Sequence, residues 1–299
     1  MTRVLLRLLQ GLAAFLCVLC LSFFLMQHAP GSPWANERAL SPEALSKLEA
    51  KHALHLDVFL ERVLLHADFG PSWKHPDQQV RDILLQSLPV SLELGGWALL
   101  LALAVGVPSG ILAATHKGRW PDTWGMGILL TGLVIPGFVV APLLQEWIGL
   151  PLGQVAGWEG PASRMLPAVC ASLATCAFVA RLLRTSLLAA LAEDHVRTAR
   201  AKGLPEVLVV LRHALPAALL PLVQYLAPAA AGLLTGTLVV EQVFQVPGMG
   251  RHFVQSALQR DYPLALGTLC VYCLLLILLN ALADAATWML DPRSREPGP

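Results

Sequence analysis

The stretch LPVSLELGGWALLLALAVGVPSGILAA, residues 88–114, contains a single charged side chain, Glu93. A helix needs roughly 20 mostly apolar residues to cross the hydrocarbon core of a bilayer, and this stretch is longer than that. Similar stretches recur along the chain, in which 56% of the 299 residues are hydrophobic and 14% are charged. A soluble domain carries roughly 25% charged residues. The composition therefore predicts an all-α, polytopic membrane protein and argues against a free-standing soluble enzyme.

Six membrane-spanning helices are expected from the hydropathy of the chain. The expected spans are Leu8–Met26, Leu88–Ala114, Trp124–Ile148, a span that starts near Leu166, Ala214–Val240 and Leu264–Leu290. The fourth is apolar only to Ala180, where Arg181 and Arg184 follow. Because long Arg side chains near a helix end can reach the membrane interface, this helix is expected to continue past them.

The first span could instead be a cleaved signal peptide, since Arg3 and Arg7 form a basic start. Its apolar run exceeds the roughly 7–15 residues of a signal core, and no small-x-small cleavage site follows. An uncleaved anchor is therefore the expectation.

Basic residues in the loops predict the orientation. With the N-terminus inside, twelve Lys and Arg residues fall on the inner side, against three in the short outer loops, Arg164, Arg251 and Arg260. The inner residues are Arg3, Arg7, Lys117, Arg119, Arg181, Arg184, Arg197, Arg200, Lys202, Arg212, Arg293 and Arg295. Because cytoplasmic loops carry an excess of Lys and Arg, both termini are expected in the cytoplasm.

Glycine and proline are frequent within the expected spans. Gly106 and Gly110 are four residues apart, as are Gly232 and Gly236, and such pairs let helix backbones approach closely. Prolines inside a helix bend or break it, and five lie in the expected spans: Pro136, Pro142, Pro216, Pro221 and Pro228. Bent helices of this kind favour a cavity or a moving part over an inert anchor.

Enzymatic motifs are missing from the sequence. It has no phosphate-binding Gly-Lys-Ser/Thr loop, no His-Glu-x-x-His and no Gly-x-Ser-x-Gly. The Cys-x-x-Cys pairs at Cys17 and Cys270 lie in apolar runs without a neighbouring His, which favours packing over a zinc site. The net charge of +1 gives no support for nucleic-acid binding. No catalytic residue, metal site or cofactor is expected.

The loop after the expected first span, residues 28–87, contains two turn signals. Ser41-Pro42-Glu43 reads as a helix start, and Asp68-Phe69-Gly70-Pro71-Ser72-Trp73 reads as a turn with two aromatic side chains. The loop is either a small folded cap on the outer face or a docking surface for an external partner, and its spacing does not decide between them.

The inner loop of residues 193–213 is the most informative. Gly203 can end one helix, and Pro205 can sit in the first turn of a second helix of about eight residues, which is too short to be stable alone in water. Leu204, Val207, Leu208 and Leu211 then share one face of that helix. An apolar face of this kind must be covered. From the pattern, the helix lies either on the membrane or in a groove of a partner protein.

This loop resembles the EAA motif of binding-protein-dependent ABC importer permeases. The counterpart here is Arg197-Thr198-Ala199, then Gly203, then Leu215-Pro216, with the Glu and first Ala of the motif replaced. The stretch Val196–Leu204 looks like the form found in the dipeptide, oligopeptide and nickel branch.

Further segments carry the same resemblance over nearly the whole chain. They are Ala29-Pro30-Gly31-Ser32-Pro33, Asp68-Phe69-Gly70-Pro71-Ser72, Glu241-Gln242-Val243-Phe244, Pro247-Gly248-Met249-Gly250, Arg260-Asp261-Tyr262-Pro263 and Asp291-Pro292-Arg293. The first two look most like the B-type permease subunit of oligopeptide importers. The segment Leu150–Arg164 is shorter than is usual in that branch.

The resemblance implies a single permease domain over residues 1–299, with a periplasmic loop at 28–87, a core at 88–290 and an EAA-like coupling loop at 193–213. Residues 204–211 would be a cytoplasmic coupling helix that docks on an ATPase subunit. The implied coupling residues are Arg197, Thr198, Ala199, Gly203, Leu204, Val207, Leu208, Leu211, Leu215 and Pro216. The implied contacts to a binding protein or outer gate are Phe69, Trp73, Pro247, Gly248, Gly250 and Asp261.

The implied partners are two cytoplasmic ABC ATPase subunits that hydrolyse the ATP, a homologous second permease, a periplasmic substrate-binding protein, membrane lipid and an oligopeptide substrate. Dipeptides, nickel chelates and murein peptides are alternative substrates in the branch. A secondary transporter would need ionisable sites at the midplane and, in many folds, repeats, and a membrane enzyme would need a catalytic set at one depth. The sequence supplies neither.

Overall fold

The structure is a computed structural model that describes residues 2–28, 56–66, 68–75, 77–151, 153 and 157–290. The Ala29–Pro33 segment, the helix start at Ser41 and the Asp291-Pro292-Arg293 segment lie outside the described residues. Among those that are described, helices dominate and no strand longer than the isolated bridge between Pro71 and Gln79 is present. This confirms the all-α class.

Twelve α-helices and three π-helical turns are described. The α-helices are α1 (Thr2–Gln27), α2 (Leu56–His66), α3 (Val80–Thr115), α4 (Met126–Val134), α5 (Gly137–Leu144), α6 (Pro161–Ala190), α7 (Asp194–Ala201), α8 (Glu206–Leu208), α9 (Leu215–Gly236), α10 (Leu238–Val243), α11 (Met249–Gln259) and α12 (Tyr262–Leu290). The π-helical turns are Pro121–Gly125, Gln145–Gly149 and Val209–Ala214.

Four described helical segments are long and apolar enough to cross a membrane. They are Val80–Thr115, Ser163–Ala190, Glu206–Val243 and Tyr262–Leu282. A fifth crossing is possible if the bent pair Pro121–Val134 and Gly137–Gly149 counts as one span. In α1, the apolar stretch with described side chains is the shorter Leu9–Leu25. The count of six spans therefore stays a prediction.

The expected third span is broken in the middle. Its two halves meet at an angle of 102°, and Ile135 and Pro136 between them are extended, with ψ values of 120° and 138°. Proline has no N–H for the helix ladder and disfavours helical geometry in the residue before it. The expected span Trp124–Ile148 is therefore broken at Pro136, one of the prolines expected to bend or break its helix.

The other expected spans differ from the structure only at their ends. Helix α6 passes Arg181 and Arg184 and ends at Ala190, as expected. The fifth span starts at Glu206, earlier than the expected Ala214. Pro221 and Pro228 lie inside α9 without ending it.

The described residues fall into two compact units. The first comprises those of Met1–Ser91 and Pro247–Ile277. Its core joins α1, α2 and α12 through a buried cluster of Phe15, Leu19, Phe23, Val63, Leu266 and Cys270. Gly267 of α12 brings that helix against α3, since a Cβ added there would lie 2.7 Å from Val80 Cγ1.

The second unit comprises the described residues of Leu92–Val246 and Leu278–Pro299, and α6 packs against both α4 and α9 in it. A Cβ added at Gly106 would lie 2.8 Å from the carbonyl oxygen of Cys176, and one at Gly110 would lie 2.8 Å from that of Ala180. These two glycines therefore provide the expected close approach, between α3 and α6. A Cβ at Gly232 would have nothing within 4 Å, so that glycine does not serve the same purpose.

Candidate functional site

Helix α7, the first element of the EAA-like loop, has one buried and one exposed face. Val196 and Ala199 are buried, whereas Arg197 and Thr198 are exposed. The Thr198 hydroxyl donates to the Asp194 carbonyl at 2.9 Å, and an Arg197 guanidinium nitrogen lies 3.4 Å from the Asp194 carboxylate. The polar side chains thus stabilise the first turn of the helix while Val196 and Ala199 anchor it.

Gly203 reverses the chain after α7. Its φ of +76° is in the left-handed region that favours glycine, and its N–H donates to the Arg200 carbonyl at 2.9 Å. An ion pair closes this turn, with Arg200 Nη2 at 2.6 Å from Glu206 Oε1 and Arg200 Nε at 3.1 Å from Glu206 Oε2. The hydrogen bond to Glu206 raises the pKa of Arg200. Gly203 therefore ends one helix, as expected.

The following helix differs from the expected one of about eight residues over 204–211. It begins at Glu206, because Pro205 precedes it with an extended ψ of 143° and accepts from the N–H groups of Leu208 and Val209. It also does not end at Leu211, since the π-helical turn Val209–Ala214 leads directly into α9. Pro216, in the first turn of α9, has no N–H to donate to the preceding turn, and the π-helical geometry directly before it takes up this irregularity. The expected separate helix is therefore the beginning of a longer one.

The buried side of this segment joins α6 and α7 in one core. Val209, Val210 and Ala214 cluster with Val196 and Ala199 of α7 and with Leu183, Leu187 and Ala190 of α6. Leu204 and Leu215 are half-buried against the same cluster. The His195 ring adds a polar link, with Nε2 3.0 Å from the His213 carbonyl oxygen. The EAA-like segment is thus fixed to the end of α6.

The outer side of this segment is apolar and uncovered. The exposed fractions of Val207, Leu208 and Leu211 are 70%, 37% and 52%. We refer to these three residues as the coupling face. Pro216 is also exposed. Of the four residues expected on one face, three form the coupling face, and Leu204 packs inward.

The second group of expected site residues surrounds Asp261, which is 1% exposed. Its carboxylate accepts from the Ser72 hydroxyl, from the Trp73 N–H at 3.1 Å and from the Lys74 N–H at 3.3 Å. It also accepts from the Leu264 N–H at 3.4 Å, in the first turn of α12. One carboxylate therefore anchors the 68–75 turn and caps a helix.

The aromatic side chains of that turn pack inward. Trp73 meets Tyr262 edge-on, with ring centroids 5.4 Å apart, and Phe69 packs against the first unit's core. Gly248 and Gly250 are buried, and Pro247 is exposed. The Met249 N–H between these glycines donates to Ser91 Oγ at 2.8 Å. The structure thus places Phe69, Trp73 and Asp261 together; a role in binding an external partner stays a prediction.

Two ion pairs were not anticipated from the sequence. Arg184 Nε and Nη2 lie 2.5 and 2.8 Å from the two carboxylate oxygens of Asp122, and Arg164 lies 2.7 Å from Glu93. Asp122 is 5% exposed and also accepts from the Gly118 N–H at 2.9 Å. The sequence did contain a signal for the first pair, because Arg184 follows an apolar run and the acid Asp122 lies beside another span. The Arg184 side chain was expected to extend to the membrane interface, but it pairs with Asp122 instead.

Among the described residues, no group of three or more His, Cys, Asp or Glu side chains is arranged to hold a metal ion.

A comparison with protein families fixes the class of the chain. Residues 106–296 match the family described as "Binding-protein-dependent transport system inner membrane component". The chain belongs to this family. It is thus an inner-membrane, multi-pass component of a binding-protein-dependent transport system, and the resemblance to this family is confirmed.

Individual relatives of this binding-protein-dependent permease match almost its whole sequence. The oligopeptide transport system permease protein OppB of Salmonella typhimurium is 43% identical, with 97% of each chain covered. OppB of Haemophilus influenzae is 40% identical at the same coverage. The dipeptide transport system permease protein DppB of Bacillus subtilis is 38% identical, with 94% of each chain covered.

Solved structures share the fold. The methionine ABC transporter MetNI in an inward-facing conformation matches with a TM-score of 0.60 and 17% identity, over 70% of this chain and 96% of that chain. An amino acid ABC transporter matches with a TM-score of 0.56 and 15% identity, over 70% of this chain and 94% of that chain. At these identities the likeness shows the permease fold alone.

Proposed function

We propose that this permease is a membrane subunit of an ATP-driven ABC importer that carries oligopeptides across the bacterial inner membrane. The coupling face is the observation that carries the proposal. Three large apolar side chains are exposed beside Arg197, Arg200 and Lys202, and a surface of this kind marks an interaction site. Because this chain has no P-loop motif, a partner subunit must supply the ATP hydrolysis.

The partner that fits the coupling face is an ATPase subunit with an apolar groove. Val209 and Val210 are buried beneath the face, so docking there would push on the cluster shared with α6 and α7. Arg197, Thr198 and Ala199 of α7, together with Gly203, would shape the edge of the contact. Two ATPases that close on ATP would move two such faces together, one on this chain and one on a homologous second permease.

The sidedness follows from the coupling proposal. The 193–213 loop and both termini lie in the cytoplasm, and the 28–87 loop lies in the periplasm as part of a single permease domain with its core at 88–290. The turn anchored by Asp261 belongs to the periplasmic side, where a substrate-binding protein delivers the peptide. Phe69 and Trp73 act there by holding the turn, while Pro247 is exposed for contact.

The relatives support oligopeptides as the substrate class, because two of those described above are named for oligopeptide transport and one for dipeptide transport. Competition in uptake assays separates the alternatives. Unlabelled penta-peptides are expected to compete with a labelled oligopeptide, whereas dipeptides, nickel chelates and murein peptides at the same concentration are not.

The coupling proposal is tested by Leu208→Asp. If this side chain enters an apolar groove, the unpaired carboxylate costs several kcal/mol, so the ATPase retained on purification is expected to fall roughly tenfold or more. ATP-dependent peptide uptake is lost with it. Leu258→Asp is the matched control, since Leu258 is 78% exposed on α11. Retention of the ATPase and of uptake by the Leu208→Asp variant would refute the assignment.

A further inference from the structure

A partly open pocket of about 260 Å³ lies in the second unit, where the third span is broken. It is bordered by residues from α4, α5, α6, α9 and α10, so it occupies the angle between the two halves of that span. We refer to it as the elbow cavity. Its volume is below the roughly 300–1,000 Å³ of pockets that enclose drug-sized ligands, so it can hold only a segment of a longer molecule.

The lining of the elbow cavity is neutral. No Asp, Glu, Lys, Arg or His borders it among the described residues. Glycines keep part of it open, since a Cβ added at Gly137 or Gly232 would have nothing within 4 Å. The cavity therefore offers room without any charge that would select a ligand by its sign.

Three hydroxyl-bearing residues border the cavity and make part of its lining polar. Thr175 of α6 is 9% exposed and borders the cavity, and its hydroxyl makes no hydrogen bond to another described residue. Tyr225 of α9 borders it too, with its ring stacked on Phe178 at a centroid distance of 4.2 Å. The Thr237 hydroxyl is occupied, because it donates to Glu241 at 3.1 Å. Thr175 and Tyr225 are therefore the side chains available to a ligand.

The break in the span adds donors from the backbone. Gly137 borders the cavity as the first residue of α5, and the first N–H groups of a helix have no partner within it. The next amides, of Val139 and Val140, donate to the Pro136 carbonyl. The donors at this edge complement the two hydroxyls, which can both donate and accept.

We infer that the elbow cavity is a subsite for the backbone of the transported peptide. Every peptide unit carries one donor and one acceptor, and leaving them unpaired in an apolar passage is costly. Groups that donate and accept, without charge, satisfy the backbone while ignoring the sign of the side chains. This inference rests on the proposed function and adds to it that the site is insensitive to peptide charge.

The test uses the importer assembled with its partner subunits in proteoliposomes and three labelled penta-peptides that differ only in a central Lys, Glu or Ser. Thr175→Val and Tyr225→Phe remove one hydroxyl each and keep the side-chain shape. Each is expected to lower kcat/KM for uptake by about 3- to 10-fold, the effect of one lost hydrogen bond, and by the same factor for all three peptides. Thr185→Val is the control, because its exposed hydroxyl donates to the Arg181 carbonyl on the same helix.

A second variant tests the neutrality of the cavity. Gly232→Asp introduces a charge where a Cβ meets open space, and it is expected to favour the Lys peptide over the Glu peptide by about tenfold. Gly127→Asp is the control, since a Cβ at Gly127 also meets nothing within 4 Å and Gly127 does not border the cavity.

The outcomes separate the two proposals. If the unaltered importer takes up none of the three peptides, the proposed function fails. If it takes them up and neither hydroxyl variant changes kcat/KM, the backbone subsite is overturned. If the Gly232→Asp variant does not assemble, the two hydroxyl variants decide alone.

Discussion

Gly203 shows at the residue scale how one backbone conformation positions the coupling face. Its positive φ places Pro205 and Glu206 so that the Arg200–Glu206 ion pair can form across the turn. A residue with a branched Cβ is strained in this conformation, whereas Asn adopts it more readily. The ion pair is exposed, so we assign it little free energy, and the glycine is the stronger determinant of the turn.

Gly203→Val is therefore expected to reduce the ATPase that co-purifies with the permease, because left-handed geometry costs a branched residue about 1–3 kcal/mol. Gly203→Asn is expected to retain most of it. Quantitative pull-down of the ATPase from detergent-solubilised membranes measures both. Equal retention by the Val and Asn variants would show that the backbone conformation of Gly203 does not matter.

Asp261 is a buried carboxylate that accepts four hydrogen bonds. Asp261→Ala would leave the buried Ser72 hydroxyl and three backbone N–H groups without their acceptor. Since hydrogen bonds to a charged group are worth about 1.5–3 kcal/mol each, the variant is expected to unfold at a temperature several degrees lower. Asp77→Ala, at an exposed position near the same turn, is the control in a fluorescence-detected melting assay. A melting temperature equal to that of the control would contradict the anchoring role.

At the scale of elements, the Asp122–Arg184 pair joins the start of the broken span to α6. Arg184 lies between Leu183 and Leu187, which belong to the cluster beneath the coupling face. Movement of that cluster would therefore reach the third span through this pair.

Asp122→Asn is expected to destabilise the permease by more than the roughly 0–1 kcal/mol of an exposed ion pair, because Asp122 is buried, and by less than the roughly 3–5 kcal/mol of a fully buried pair, because the Arg184 side chain is 29% exposed. It is also expected to lower peptide uptake per ATP hydrolysed. The exchange variant, Asp122→Arg combined with Arg184→Asp, restores the pair and is expected to recover part of both quantities. Arg181→Gln serves as the control, because Arg181 is exposed on the same helix. Failure of the exchange to recover anything would show that the pair acts only through its local packing.

Elements were more predictable from the sequence than contacts. The apolar runs gave α3, α6 and α12 because helix length and hydropathy are local properties. A bend or break at Pro136 was predicted, but its angle of 102° was not, since the position of a proline does not determine the angle. The Asp122–Arg184 pair was missed because residues 62 positions apart leave no periodic signal. The coupling face was partly misplaced because the pattern put Leu204 in the helix, whereas the helix begins at Glu206 and Leu204 packs against the core before it.

At the scale of the whole molecule, the distribution of basic residues gives a prediction that the fold alone does not contain. Green fluorescent protein fused after Pro299 is expected to fluoresce in cells if the C-terminus lies in the cytoplasm, as we propose. Alkaline phosphatase fused after Asp77 is expected to be active if that loop lies in the periplasm, as we propose. Activity of the phosphatase fused after Lys202 would contradict the proposed orientation, because it would place the 193–213 loop in the periplasm.

The helix that begins at Glu206 continues to Val243 as a single apolar span. Leu208 and Tyr225 lie on it without an intervening loop, and at a rise of about 1.5 Å per residue they are separated by about 25 Å. Between these two residues the backbone is helical throughout, with the π-helical turn Val209–Ala214 near its start. Under the proposed function, an ATPase that tilts the coupling face would therefore also shift Tyr225. ATP hydrolysis and the peptide subsite would then be linked through one helical segment.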